Sequence, residues 1–260
     1  MDFKEQAEFE RAKAVLDDHD VHLIYSCLAG SKAYGRSSTN SDTDIRGIFL
    51  PAADDVLLQK EIDTIRLKDG DVEFHPIAKF FKLAANGNPN VLEWLFVRED
   101  HIFEMDGYGQ KIRKNRSLFL SQKLFSAFFG YANGSWKTLE KLLETPMEPG
   151  SNSWNKARKH AMHIERLLVQ LVQILETGSF SAWNPDFTEP FVTPENNEMQ
   201  KPVLNPDYLG SLRSLQKRIE QAKGSTTLPE KPDYQALDQL RLEIVQDWVS
   251  ASLDHDSKNE

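Results

Sequence analysis

Leu28-Ala29-Gly30-Ser31-Lys32-Ala33-Tyr34-Gly35, followed closely by Ser41-Asp42-Thr43-Asp44-Ile45-Arg46-Gly47, decides how the rest of this chain is read. Upstream, His22-Leu23-Ile24-Tyr25-Ser26-Cys27-Leu28-Ala29 is almost unbroken apolar sequence, the pattern of a central strand covered on both faces, and Gly30 ends it. Ile45 to Leu50 reads as a second strand, stopped by Pro51, which has no donor for a sheet ladder. On an extended backbone side chains alternate, so Asp42, Asp44 and Arg46 share one face while Thr43 and Ile45 take the other. A glycine closing a strand lets the backbone approach an anion, and the amides and hydroxyl that follow can donate to phosphate oxygens where a helix begins. Ser31 also suits the N-cap of a plain tight turn, and the two roles are compatible. Asp42 has a plain reading too, as a cap in the polar run Ser37-Ser38-Thr39-Asn40-Ser41. Gly30 and Gly35 have the spacing of a P-loop, but Arg36-Ser37 follows where that motif needs Lys and Ser or Thr.

Working outward, Phe3, Ala7, Phe9, Ala12, Val15 and Leu16 recur at helical spacing ahead of the first strand. Thr64-Ile65-Arg66-Leu67 and Val72-Glu73-Phe74-His75 read as a hairpin joined through Asp69-Gly70, residues that tolerate the positive φ of such turns. After Pro76 the period becomes helical: Phe80, Phe81, Leu83 and Ala84 open a helix that ends at Asn86-Gly87-Asn88-Pro89. Asn90-Val91-Leu92-Glu93 has the form of a capping box, with Asn90 as N-cap and Glu93 reaching back. Long helices are expected at about residues 121–144, 153–176, 206–222 and 232–253, and 178–205 reads as an irregular connection. The expected architecture is α+β: a small mixed or antiparallel sheet over residues 1–100, then a helical region over residues 101–260. Segregation of this kind argues against alternating βαβ units.

With 260 residues and 40% hydrophobic content the chain can bury a full core. Its 31 basic and 40 acidic residues leave a net charge of −9, which disfavours general polyanion binding. Cys27 is the only cysteine, so an internal disulfide and a cysteine-based zinc site are excluded, and a small buried strand residue is expected there. Neither a signal-peptide pattern nor an apolar run of ~18 residues is present, which makes cytoplasm the expected location and a membrane no partner.

Gly30-Ser31 with Asp42-x-Asp44 resembles the polymerase-beta-type nucleotidyltransferase superfamily. Asp42-Thr43-Asp44-Ile45-Arg46-Gly47 is similar to its bacterial and phage-encoded predicted nucleotidyltransferase branch. Lys79-Phe80, Asn88-Pro89-Asn90-Val91-Leu92-Glu93-Trp94-Leu95, Lys159, His163, Arg166-Leu167-Leu168, Gly178 and Leu228-Pro229-x-x-Pro232-Asp233 resemble further blocks of that branch. The later blocks identify the branch more than the chemistry.

The resemblance implies a nucleotidyltransferase fold and transfer of a nucleoside monophosphate from an NTP to an acceptor. That reaction gathers several negative oxygens, which Mg²⁺, or Mn²⁺ in its place, would neutralise on Asp42 and Asp44. Such enzymes employ a third carboxylate from a neighbouring strand. Asp71 and Glu73 share the face opposite Val72 and Phe74, and Glu73 is preferred for the catalytic and metal role because Asp71 sits nearest the turn. Gly30, Ser31, Lys32 and Arg46 are the candidate nucleotide-binding residues of this end of the chain. Lys159, His163 and Arg166 fall on one helix face and would meet triphosphate or an anionic acceptor; the plain alternative is a solvated charged face that includes Glu165. The acceptor stays open between an RNA end, a small molecule and a protein hydroxyl. A catalytically silent nucleotide-binding or partner-regulating protein of the same fold is the competing reading.

Overall fold

The computed structural model describes residues 2–37, 41–67, 71–192 and 200–259, the last five of these by backbone alone. In chain order, α1 (Phe3–Asp17), β1 (Val21–Ala29), α2 (Gly30–Ala33), β2 (Asp44–Pro51), α3 (Ala53–Leu57), β3 (Ile65–Arg66), β4 (Val72–Pro76), α4 (Ile77–Ala85) and α5 (Pro89–Leu92) come first. Then follow a 3-10 turn at Glu93–Phe96, β5 (Ile102–Met105), α6 (Gly107–Lys114), α7 (Lys123–Leu143), α8 (Asn152–Thr177), β6 (Phe191–Val192), β7 (Val203–Leu204), α9 (Pro206–Ser225) and α10 (Tyr234–Asn259). No helix among the described residues is long and apolar enough to cross a membrane.

The five-stranded sheet has the order β3-β4-β2-β1-β5, so the apolar β1 and the aspartate-bearing β2 are inner strands, with β4 the third. β1 pairs antiparallel with both β2 and β5, and β3 pairs antiparallel with β4, whereas β2 and β4 run parallel. The pairing of Ile65 with Phe74 and of Arg66 with Glu73 is that of the expected hairpin; its Asp69-Gly70 turn lies outside the described residues. Phe9, Ala12 and Leu16 of α1 pack on one sheet face with Leu23, Ile45, Phe49, Val72 and Phe74. Alternation sends His75 to the other face, where Trp94 lies over it with ring centroids 5.0 Å apart and stacks in turn on Phe80 of α4. The start of α1 is set by a reciprocal capping box in which the Asp2 carboxylate accepts from the Glu5 amide and the Glu5 carboxylate from the Asp2 amide. Cys27 is wholly buried in β1, and burial pushes its thiol pKa up to about 12, the behaviour of an inert core residue.

Two compact units emerge, Met1–Phe119 with Ser181–Trp183 and Pro232–Glu260, and Leu120–Phe180 with Asn184–Lys231. Unlike a division at residue 100, this one keeps α6 and α10 with the sheet. The physical reason is side-chain packing: Leu237, Leu240 and Ile244 of α10 are buried, and Trp248 donates its indole N–H to the Pro51 carbonyl at the end of β2, at 2.8 Å. In the second unit α7 packs on α8 and α8 on α9. The stretch 178–205 is less irregular than its composition suggests, since Phe191–Val192 pairs with Val203–Leu204.

The capping box expected at Asn90 is corrected. Asn88 caps α5, its side chain accepting from the Asn90 amide at 3.1 Å, because Pro89 occupies the first helical position and needs no hydrogen-bond partner there. Glu93 instead stands at the C-terminal cap of α5, its amide donating to the Pro89 and Val91 carbonyls, and is buried at 3% exposure.

Candidate active site

β1 ends at Ala29, whose partner across the ladder is Asp44, and the parallel register of β2 with β4 sets Arg46 beside Glu73. Asp44, Arg46 and Glu73 therefore share one sheet face. The Arg46 guanidinium sits between the two carboxylates, with Nη2 3.0 Å from Asp44 Oδ1 and Nε 3.8 Å from Glu73 Oε2. Its Nη1 donates to the main-chain carbonyls of Ile45 and Asp71 at 2.9 and 2.5 Å, and Arg66 Nη2 reaches Glu73 Oε1 at 2.5 Å. Asp71 thus meets Arg46 through its backbone, whereas Glu73 does so through its side chain. Asp42, next to residues outside the described set, is exposed.

Gly30 has a φ of +61°, and a Cβ there would overlap the Asp44 carboxylate. This is where the chain needs glycine: only hydrogen lets the turn lie against the second aspartate in that backbone conformation. The residue at the N-cap position of α2 is Ala29, with no side-chain cap, so Ser31 is inside the first turn and not its cap. Lys32 turns away from the two aspartates' face, donating to Thr43 Oγ1 at 2.9 Å and pairing with Glu5 Oε1 at 3.2 Å. It ties the glycine-serine turn to α1 and to the residue between the aspartates. At the far end of the turn Gly35, with a φ of +73°, lies under Trp183, whose ring would come within 2.8 Å of a Cβ, and Arg98 stacks on that ring at 4.5 Å.

A cavity of about 410 Å³ runs from Gly30 past Arg46 and Glu73 to Lys79 and Glu93. Its polar wall includes His75, which is buried at 3% exposure and bonded through Nδ1 to Thr64 Oγ1 at 2.8 Å. Burial holds the His75 pKa down at about 4 despite the neighbouring Glu73 carboxylate, so the ring is neutral near pH 7. Glu93 accepts from the Tyr34 hydroxyl at 2.6 Å. Sequence reasoning passed over Glu93 as a cap; the available signal was a carboxylate inside the apolar run Val91-Leu92-Glu93-Trp94-Leu95-Phe96.

Asp44 and Glu73 both offer oxygens to one cation, Arg46, and hard carboxylate oxygens of this kind are what Mg²⁺ prefers. Among the described residues no three His, Cys, Asp or Glu side chains converge closely enough to form a ready metal cage. The donor chemistry fits a divalent cation held by one or two carboxylates together with substrate phosphate.

Lys159, His163 and Arg166 belong to α8 in the second unit, and the carboxylates above to the first. Lys159 is exposed, but the solvated-face reading fails for its neighbours: Glu165 and Arg166 are each 3% exposed. Glu165 accepts from the Thr188 amide and the Ser211 hydroxyl, and Arg166 Nη2 meets His163 Nδ1 at 2.9 Å. Burial, reinforced by the Arg166 and His160 charges, lowers the His163 pKa from 6.5 to about 3. The unfolded imidazole binds a proton near pH 6.5 and the folded one does not until about pH 3, so stability is lost as pH falls through that window. Between pH 7 and 5 this amounts to about 2 kcal/mol. Denaturant unfolding at the two pH values should show the wild type losing that much more than His163→Gln; equal losses would contradict it.

An uncharacterised 38.9 kDa protein from the nrdC-mobD intergenic region of Enterobacteria phage T4 is 32% identical over 124 residues, 43% of this chain and 37% of that protein. Uncharacterised protein YcgL of Bacillus subtilis (strain 168) is 30% identical over 94 residues, 35% of this chain and 36% of its own length. The chain thus matches little more than a third of each of these relatives. A crystal structure of a nucleotidyltransferase-like protein from Exiguobacterium sibiricum 255-15 aligns over 95% of this chain and 75% of that one, with 15% identity and a TM-score of 0.29. The match to a family model extends from residue 3 to residue 243, nearly the whole length, and the chain belongs to the RNA repair pathway DNA polymerase beta family.

Proposed function

We propose that this protein transfers a nucleoside monophosphate from an NTP to the end of an RNA, releasing pyrophosphate. The observation that carries the reading is the contiguous line of Asp44, Arg46 and Glu73 on neighbouring strands, with the Gly30 turn pressed against Asp44. RNA is the favoured acceptor because the family is described by an RNA repair pathway.

The acceptor oxygen attacks the α-phosphorus, the bond from that phosphorus to the bridging oxygen of the leaving pyrophosphate breaks, and the acceptor's proton passes to a carboxylate. Glu73 fits that last role better than Asp71, since its side chain lines the cavity whereas Asp71 contributes a carbonyl to Arg46 and Ile45. Gly30 and Ser31 hold the β- or γ-phosphate, and Arg46 offsets charge at the transferred group. Asp42 and Asp44, completed by Glu73, would hold Mg²⁺ or Mn²⁺, which when bound supplies positive charge against the triphosphate. A cytoplasmic setting suits an enzyme that consumes NTP and carries one free thiol.

The test is incubation of the protein with each labelled NTP, Mg²⁺ and short single-stranded RNAs. Pyrophosphate release together with label in the RNA is expected from wild type, and neither from the folded Asp42→Asn, Asp44→Asn double variant. NTP binding with no pyrophosphate released on any RNA would instead support the silent nucleotide-binding protein, and release that persists in the double variant would overturn the site.

A further inference from the structure

Lys79 is the residue that the reaction as described leaves without a task. It projects from α4 into the cavity beside Glu73, half-buried, and has no ion-pair partner among the described residues. The other two cations of that wall are already engaged, Arg46 by Asp44 and Glu73, and Arg66 by Glu73. The Glu93 carboxylate of the same wall accepts from the Tyr34 hydroxyl.

The cavity is on the acceptor's side of the reaction. Attack at phosphorus is in line, so acceptor and leaving pyrophosphate approach from opposite sides of the transferred group. Of the donor residues only Gly30 and Arg46 line the cavity, at the end where the transferred group would lie, whereas Glu73, the proposed proton acceptor, and Lys79 line the part beyond them. About 410 Å³ has room for one terminal nucleotide. A lysine in a partly enclosed wall, with no carboxylate of its own, is matched by an anionic group on whatever enters.

On these grounds, and resting on the nucleotidyl-transfer reading above, we propose that the cavity is the acceptor subsite and that it selects an RNA end carrying a terminal phosphate, which Lys79 binds. A chain with net charge −9 would in this way place one uncompensated cation where a phosphate has to be recognised.

The experiment measures equilibrium binding of a fluorescently labelled, single-stranded hexaribonucleotide in three forms: 5′-phosphate, 3′-phosphate, and hydroxyl at both ends. One phosphorylated form is expected to bind about tenfold or more tightly than the dihydroxyl form. Lys79→Met should reduce that ratio to near one, and Lys79→Arg should restore it. Equal binding of all three forms by wild type, or a preference that survives in Lys79→Met, would overturn the proposal. Far-ultraviolet dichroism and thermal melts of the two variants separate loss of recognition from loss of fold, and Lys79→Arg supplies a second test if Lys79→Met does not fold. Failure here is distinguishable from failure of the transfer reading, which is scored by pyrophosphate: release without a phosphate preference sinks only the subsite, and a preference without release sinks only the transfer.

Discussion

Asp44→Asn is expected to lower nucleotidyl transfer by about 10²- to 10³-fold while leaving the protein folded. Asparagine keeps the shape of the side chain and its acceptor oxygen toward Arg46 Nη2, 3.0 Å away in the wild type, so packing against Gly30 is preserved. What it removes is a full negative charge that would be matched to the divalent cation in the transition state, an interaction worth about 3 to 4 kcal/mol in comparable sites. Asp44 should matter more than Asp42, since it is wedged between the Gly30 turn and a guanidinium whereas Asp42 is exposed. Pyrophosphate release under saturating NTP, with a melting curve of the same sample, checks this. A folded variant within fivefold of wild type would remove Asp44 from the chemistry.

Gly30→Ala should damage stability and nucleotide binding together. Alanine at a φ of +61° costs about 1 kcal/mol or more in backbone strain, and its Cβ would occupy the space of the Asp44 carboxylate, adding an overpacking cost of about 1 to 3 kcal/mol. The strain is relieved by moving the turn or the aspartate, and either change separates groups that have to act together. Loss of stability by about 2 to 4 kcal/mol in denaturant unfolding, accompanied by loss of NTP binding, is the expected result. Wild-type stability and binding in Gly30→Ala would show that the turn and Asp44 are not held in this contact.

Much of this arrangement was legible in the chain because it is written locally. The apolar run through Ala29, the stop at Gly30 and the alternation around Asp44 identify two inner strands, and the observed bounds Val21–Ala29 and Asp44–Pro51 differ little from the expected ones. Glu73 could be set on the correct face by period two alone. Other features depend on partners distant in sequence. The edge strand Ile102–Met105 has intermediate burial throughout and no alternating signature. Lys32 reads as a phosphate ligand by its position beside Gly30-Ser31, yet its charge is directed to Glu5, a residue of a different helix. Likewise Arg166 reads as part of a solvated charged face or a phosphate-facing one, and only the packing around it buries it to 3% exposure. Asn88 displaced Asn90 as a cap through one intervening proline, the sort of local competition that a pattern match overlooks.

The sheet unit is discontinuous in the chain, taking up residues 1–119, a three-residue piece bearing Trp183, and α10. Translation therefore delivers its parts at widely separated times. The turn around Gly35 acquires its aromatic cover, and β2 its indole bond from Trp248, only after most of the helical unit has been synthesised. Domains tend to fold as they emerge from the ribosome. Here the aspartate-bearing β2 waits, partly uncovered, for segments made later, so a product terminated before them would carry the glycine-serine turn and Asp44 without the packing that holds them in register.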